Sequence, residues 1–259
     1  MKNKTDLSVN LNKIALIRNS REGDYPNVVA HAQTCLEAGA DGITVHPRPD
    51  QRHIRPQDCH DLAELVAPLP NIEFNIEGNP FADPHGSYPG FMALIKATRP
   101  DQCTLVPDSD EQLTSDHGFN LTQSGDKLKP IIAQLKHWGC RVSLFMDPDV
   151  EQIKLAAEVG ADRIEFYTGP YAEAHRLQSD NLDHLLRQYI AAAEAAIACG
   201  LEINAGHDLN LENMPLFRNV PELKEVSIGH ALVVDAIAMG LDETVRRYRD
   251  ICQSPPTQM

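Results

Sequence analysis

The chain has 259 residues, 42% of them hydrophobic and 23% charged, an ordinary globular composition with length enough to bury a core. Its net charge of −14 argues against a nucleic-acid partner, whose backbone demands a basic face. No run approaches ~20 uninterrupted apolar residues, so no membrane span is expected, and the polar start MKNKTDLSVNLNK carries no apolar signal segment.

Taken in chain order, short β-type runs alternate with helix-period runs. The candidate strands are Leu7–Leu11, Gly42–Pro47, Ile72–Gly78, Gln102–Pro107, Arg141–Asp147, Arg163–Gly169, Glu202–His207 and Glu225–His230. A helix is expected from Val150 to Val159, with Val150, Ile153 and Ala157 on one face. The apolar-rich stretch 182–201 is broken by Asp183, His184, Arg187, Gln188 and Glu194, as in an amphipathic surface helix. Four segments repeat a helix end, a glycine and a strand: AGADGITV, WGCRVSLF, VGADRIEF and CGLEINAG. A helix C-terminus favours a left-handed residue, which glycine adopts without a Cβ clash. Eight such units in about 250 residues predict a closed (β/α)8 TIM barrel with additional helices, one domain over 1–259. An open doubly wound sheet is the alternative, but the chain has no GxGxxG turn to recommend it. Two long loops, 78–89 and 108–126, follow the third and fourth strands, on the face where such barrels build active sites.

The six cysteines are scattered and form no CxxC pair. They read as reduced thiols of a cytoplasmic protein, not as a disulfide frame or zinc site.

Polar residues collect at the strand ends: Asn10, His46, Glu73 with Glu77, Thr104, Asp147, Glu165, His207 and His230. Buried charged groups are costly unless paired or used, so their convergence on one mouth points to an active site. Alternation puts Glu73, Asn75 and Glu77 on one face of their strand, and carboxylates facing His46 and His207 would supply general acids and bases. The segment ITVHPRPDQRHIRP concentrates Arg48, Arg52, His53 and Arg55, with Arg18 and Arg21 just after the first strand. In an acidic chain this suits phosphate or carboxylate binding. INAGHD and SIGH, after the last two strands, place glycine beside polar groups where a helix begins, a second anion site. Small substrates carrying two phosphate ends are therefore expected. A metal-dependent sugar-phosphate isomerase barrel would need a tight ligand set, and neither an HxH on the first strand nor an HxxxH pair is present. A Schiff-base aldolase would need a lysine inside the barrel, where the sixth strand has Glu165. A phosphate-binding barrel without chemistry would not need these acid–base groups.

The blocks LSVNLNKIALIRNSR, AGADGITVHPRPDQRHI, NIEFNIEGNP, LVPDSDEQLTS, VSLFMDPD, EVGADRIEFYTGPYA, INAGHDLNLEN and SIGHALVVDAI resemble, in order and over nearly the whole chain, those of the pyridoxine 5'-phosphate synthase family. The resemblance implies a barrel with extra helices that assembles as a homo-octamer and uses no metal or organic cofactor. It implies condensation of 3-amino-2-oxopropyl phosphate with 1-deoxy-D-xylulose 5-phosphate. Carried over by motif, His46 and Glu73 accept protons, His207 donates one, and Glu165 stabilises the transition state. Asn10 binds the aminoketone phosphate, and Arg21, Arg48, His53 and Thr114 hold the deoxyxylulose phosphate. Asp208, Gly229 and His230, with His207, cradle the other phosphate. The chain departs from the familiar pattern in Asn12 and Lys13, where Asp-His is more usual and which are expected to grip the sugar phosphate. It departs again in Asp208 for glycine and in a longer loop at 78–89, while Glu77 stands as a second candidate for the part given to Glu73.

Overall fold

The computed structural model describes residues 4–109 and 111–256. All eight expected strands form: β1 (Asp6–Asn10), β2 (Gly42–Val45), β3 (Glu73–Gly78), β4 (Gln102–Leu105), β5 (Arg141–Met146), β6 (Arg163–Tyr167), β7 (Glu202–Gly206) and β8 (Leu223–Ile228). Each pairs in parallel with its sequence neighbours, and β8 returns to β1, where Val226 sits opposite Leu7, to close the barrel. Closure excludes the open doubly wound sheet. Most expected strands ran one or two residues too far at their C-terminal ends. Pro47 and Pro107 have no N–H to give a ladder, and His207 turns left-handed with φ 64°. These residues leave the sheet to form the rim of the mouth.

Helices α1 (Asn12–Asn19) and α2 (Val28–Glu37) lie between β1 and β2, followed in turn by α3 (Pro56–Val66), α4 (Phe91–Thr98), α5 (Leu121–His137) and α6 (Val150–Glu158) after successive strands. After β6 come α7 (Gly169–Arg176) and α8 (Leu182–Ala198), then short α9 (Met214–Phe217), and after β8 come α10 (His230–Met239) and α11 (Leu241–Gln253). The loop expected over 108–126 is therefore loop only to Asn120. Its last six residues open α5, with Leu121 N–H donating to Gln152 Oε1 at 2.7 Å. The repeated glycines do what the pattern requires. Gly39, Gly139, Gly160 and Gly200 end α2, α5, α6 and α8 with φ of 106°, 91°, 92° and 78°. An aspartate then enters the next turn: Asp41, Asp101 and Asp162 accept from the backbone N–H of Leu7, Phe74 and Val142 at 3.1, 2.9 and 2.9 Å.

Alternation divides the barrel wall. Outward strand residues such as Val9, Ile43, Ile76, Leu144, Phe166 and Ile203 are buried under the helices in one continuous apolar core. Inward residues are largely polar, where such barrels more often carry branched apolar layers. Ser8 Oγ meets Thr44 Oγ1 at 2.7 Å, Asn75 Nδ2 donates to Thr44 Oγ1 at 3.3 Å, and Thr104 Oγ1 donates to Asn75 Oδ1 at 3.2 Å. Arg163 reaches Gln102, Asn204 and Glu225 below them. The strand C-termini thus carry a polar mouth set on a hydrogen-bonded polar interior.

Candidate active site

A cavity of about 360 Å³ opens at the C-terminal end of the barrel. It gathers Asn10, Asn12, Lys13, His46, Arg48, His53, Thr114, Glu165, His207, Asp208, Gly229 and His230 from six different parts of the chain. Two expected residues are not among them. Arg21 lies exposed in the segment after α1, outside this lining. Glu73 stands at the opposite end of β3. Its Cα is level with Gly42, four residues before His46 on the neighbouring strand, so the two differ in height by roughly 13 Å. Its carboxylate pairs with Arg141 at the foot of the barrel. Alternation correctly turned it inward but could not tell foot from mouth. Glu77 is the β3 carboxylate at the mouth, with Asn10 Nδ2 donating to its Oε2 at 3.3 Å.

The acid–base centre forms where β2, β3 and β6 end. His46 Nδ1 lies 3.9 Å from Glu77 Oε2, and its Nε2 lies 3.9 Å from Asp108 Oδ2. Asn12 serves this centre structurally, accepting the His46 backbone N–H at 2.8 Å while its own N–H donates to Asn10 Oδ1 at 3.0 Å. Burial, then the charges of Arg48, His53 and Arg52, holds the His46 imidazole well below its usual range, so it is neutral at physiological pH. Burial, then the nearby Glu165 and Asp108 carboxylates, pushes Glu77 well above the normal carboxylate range. Burial raises Glu165 to about 7, against an opposing hydrogen bond from Thr104. Glu165 fits only because residue 206 is glycine: a Cβ there would stand 2.5 Å from Glu165 Oε1. Its Oε2 is buried without a hydrogen-bond partner, an acceptor left open.

His207 comes from the turn after β7, where His207 and Asp208 are successive left-handed residues with φ 64° and 56°. Such backbone costs about 1–3 kcal/mol per residue and persists where the surroundings enforce it. Here the buried Thr168 hydroxyl reaches the Gly206 and His207 carbonyls, and Asn213 Nδ2 donates to Asp208 O at 3.0 Å. His207 Nδ1 lies 3.0 Å from Asp208 Oδ2 and its Nε2 2.8 Å from Thr114 Oγ1. A carboxylate only accepts, so Nδ1 carries a proton, and Nε2 is the nitrogen that exchanges one with the Thr114 hydroxyl or a substrate oxygen. The His207 hydrogen bond, aided by nearby cations, keeps Asp208 below the usual carboxylate range. Its charge is thereby turned toward the imidazole.

Two cationic or amide-rich ends flank this centre. On one side lie Arg48, Arg52, His53 and Lys13. His53 Nδ1 accepts from Ile54 N–H at 2.9 Å, and burial followed by Arg48, Lys13 and Arg52 lowers its pKa to about 3. It is a neutral donor through Nε2. On the other side α10 begins at His230, with Gly229 before it and no side chain capping its first amides. The loop after β4 crosses between them: Arg52 Nη1 donates to Gln112 O at 2.7 Å, and Thr114 touches His207. Sequence reasoning missed Asp108, Ser115, Phe145 and Thr168. Asp108 follows directly on Pro107 but reads in sequence as one acid of the run DSDE. Asp147, expected at the mouth, instead accepts Gly118 N–H at 3.1 Å and secures the foot of this loop. Among the described residues no three His, Cys, Asp or Glu side chains converge as a metal-ligand set, and no helix is long and apolar enough to cross a membrane.

The family described as "Pyridoxal phosphate biosynthesis protein PdxJ" matches residues 7–254. A pyridoxine 5'-phosphate synthase of Xylella fastidiosa (strain 9a5c) is 53% identical over 255 residues, covering 98% of this chain and 97% of that protein. One of Xanthomonas campestris pv. campestris (strain B100) is 56% identical over 245 residues, 94% of each chain. A solved structure from Aquifex aeolicus VF5 superposes with a TM-score of 0.63 at 15% identity, over 97% of this chain and 95% of that one, a likeness of fold.

Proposed function

The chain belongs to the PdxJ family of pyridoxal phosphate biosynthesis proteins, and from that premise we propose how its barrel mouth works as a pyridoxine 5'-phosphate synthase. The amine of 3-amino-2-oxopropyl phosphate condenses with the ketone of 1-deoxy-D-xylulose 5-phosphate. The deoxyxylulose phosphate group leaves, the ring closes, and water is lost to give pyridoxine 5'-phosphate. No metal or organic cofactor takes part, and the protein works in the cytoplasm, where its six free cysteines stay reduced.

The observation that carries this reading is the placing of His46, Glu77 and Glu165 between two anion-fitted ends of one cavity. The α10 N-terminus, with Gly229, His230 and Asn10, suits the aminoketone phosphate. Arg48, His53, Thr114 and Lys13 suit the sugar phosphate. Each condensation and dehydration step needs a proton removed from carbon or nitrogen and one delivered to departing oxygen. Neutral His46 is a base held beside Glu77, whose raised pKa makes its carboxylate a stronger proton acceptor than an ordinary one. The part first given to Glu73 falls to Glu77. Glu165, balanced near neutrality, faces the centre as acceptor for a developing iminium or as acid for departing hydroxyl. His207, oriented by Asp208 and Thr114, takes up a proton at Nε2 in one step and delivers it to departing oxygen from the opposite wall in a later one.

Assembly as a homo-octamer is part of the same reading. Helix α1 packs beside α10, and together they expose Leu16, Ile17, Val234 and Ile237, an apolar face suited to a second copy. Arg21, outside the cavity of its own chain, follows directly on this face.

The direct test mixes chelator-dialysed protein with both phosphorylated substrates and follows pyridoxine 5'-phosphate and released inorganic phosphate. Stoichiometric appearance of both supports the metal-free condensation. Product that appears only after a divalent cation is restored would overturn the cofactor-free part and favour a metal-assisted barrel.

A further inference from the structure

Asp108 has no part in the reaction as written, yet it is among the most constrained side chains at the mouth. It follows β4 through Val106 and Pro107 and is 4% exposed. A carboxylate so far from water costs several kcal/mol unless charge and hydrogen bonds compensate it. Three groups from two other segments meet at its Oδ2. Arg48 forms an ion pair with it, Ser115 Oγ donates to it at 2.7 Å, and His46 Nε2 lies 3.9 Å away. The Asp108 backbone carbonyl accepts Asn79 Nδ2 at 2.7 Å, which pins the residue to the loop after β3. Oδ1 is buried without a hydrogen-bond partner.

This arrangement spans both sides of the catalytic centre. Arg48 also approaches Gln112 O at 3.5 Å, and Ser115 sits three residues beyond Gln112, so one carboxylate gathers the crossing loop and the sugar-phosphate arginine together. The charged or titratable groups facing the His46–Glu77 pair are Arg48, Arg52 and His53 from the loop after β2, Glu165 from β6, and Asp108 itself. Asp108 is therefore the anion that balances Arg48 beside the pair.

We propose that Asp108 is a positioning residue that seats the 111–117 loop and Arg48 over His46, fixing with one carboxylate both the place of the loop and the charge beside the His46–Glu77 pair. It touches no reacting atom in this scheme and acts through Arg48, Ser115 and His46. The inference rests on the synthase reading for its kinetic consequences, while its effect on the loop is independent of any substrate.

Three variants separate charge from anchoring. Asp108→Asn keeps the shape and an acceptor for Ser115 but removes the charge. Ser115→Ala removes the loop anchor and leaves the charge. Asp108→Glu restores charge on a longer arm. The measurements are kcat/KM against pH with both phosphorylated substrates, and limited proteolysis of the ligand-free loop. In Asp108→Asn, kcat/KM at neutral pH is expected to fall about tenfold or more. The acid limb should move down by about one pH unit, because an anion that raises Glu77 has gone. Cleavage between 111 and 117 should accelerate. In Ser115→Ala cleavage should accelerate with the acid limb unmoved, and Asp108→Glu should recover part of both losses. A folded, active Asp108→Asn enzyme with an unmoved acid limb would overturn the proposal. So would loop cleavage no faster than wild type, a result that holds even if the wild-type protein makes no pyridoxine 5'-phosphate and the synthase reading itself fails.

Discussion

Thr114 and His207, 93 residues apart in sequence, meet at 2.8 Å between Oγ1 and Nε2. The contact ties the loop after β4 to the strained turn after β7 and closes the cavity between the two anion-fitted ends. Because Nδ1 donates to Asp208, Nε2 is the nitrogen that meets the Thr114 hydroxyl. Substrate oxygen would take the place of that hydroxyl, or share it, when His207 acts.

Thr114→Val, which keeps the shape and removes the hydroxyl, is expected to weaken deoxyxylulose phosphate use. Loss of one hydrogen bond of ordinary strength corresponds to about a tenfold fall in kcat/KM for that substrate. The KM for the aminoketone should change little. Steady-state kinetics with each substrate varied in turn decides this. Equal losses for both substrates would show that the contact only orders the loop.

Glu77→Gln and Glu73→Gln should behave oppositely. Glu77→Gln removes a proton acceptor at the mouth and is expected to lower kcat by a hundredfold or more, to order of magnitude. Glu73→Gln alters a partly exposed ion pair with Arg141 at the barrel foot, a contact of modest worth. Turnover should persist there and Tm should move by no more than a few degrees. Loss of turnover in Glu73→Gln with full activity in Glu77→Gln would reverse the assignment.

That pair of residues also marks how far the sequence can be read. Eight strands, the helix–glycine–strand repeats and most of the twelve mouth residues were visible because period-2 alternation and turn chemistry are local, while Asn12 and Thr114 entered only through the family resemblance. The height of Glu73 was not. It depends on which residue of β2 stands beside it, and the Gly42–Glu73 register exists only once the barrel closes. Asp108 was hidden for a similar reason. Within DSDE it reads as one acid of a solvated run, and only the folding back of Ser115 and Arg48 buries it. The short helices α7 and α9 carry too few turns for a periodic pattern to show.

The α1/α10 face offers a prediction about assembly. Ile237 is 81% exposed and stands with Val234, Leu16 and Ile17 on adjoining helices. Ile237→Asp should leave the barrel folded by circular dichroism and reduce the particle mass seen by light scattering after size exclusion. Because Arg21 follows α1, activity should fall with assembly if a neighbouring copy presents that arginine. An unchanged mass would mean that this face carries no contact between copies.

Glu165 links the chemistry of the site to its stability. Burial raises its pKa from 4.5 to about 7, so the native protein holds this proton more tightly than the unfolded chain does. The sign follows directly. The stability owed to the bound proton is complete below pH 4.5 and is lost as the pH rises through 7, where the native carboxyl must ionise in a dry site. Glu165→Gln supplies a permanently neutral side chain of the same shape. In ligand-free protein, Tm of the variant minus that of the wild type should grow between pH 4.5 and 7.5 and then level. The span corresponds to roughly 3 kcal/mol at most, or several degrees for a chain of this size. A flat difference across the range would mean that Glu165 ionises as it does in the unfolded chain. It would then be a permanent carboxylate at neutral pH, able to stabilise a cation but not to give up a proton to departing hydroxyl.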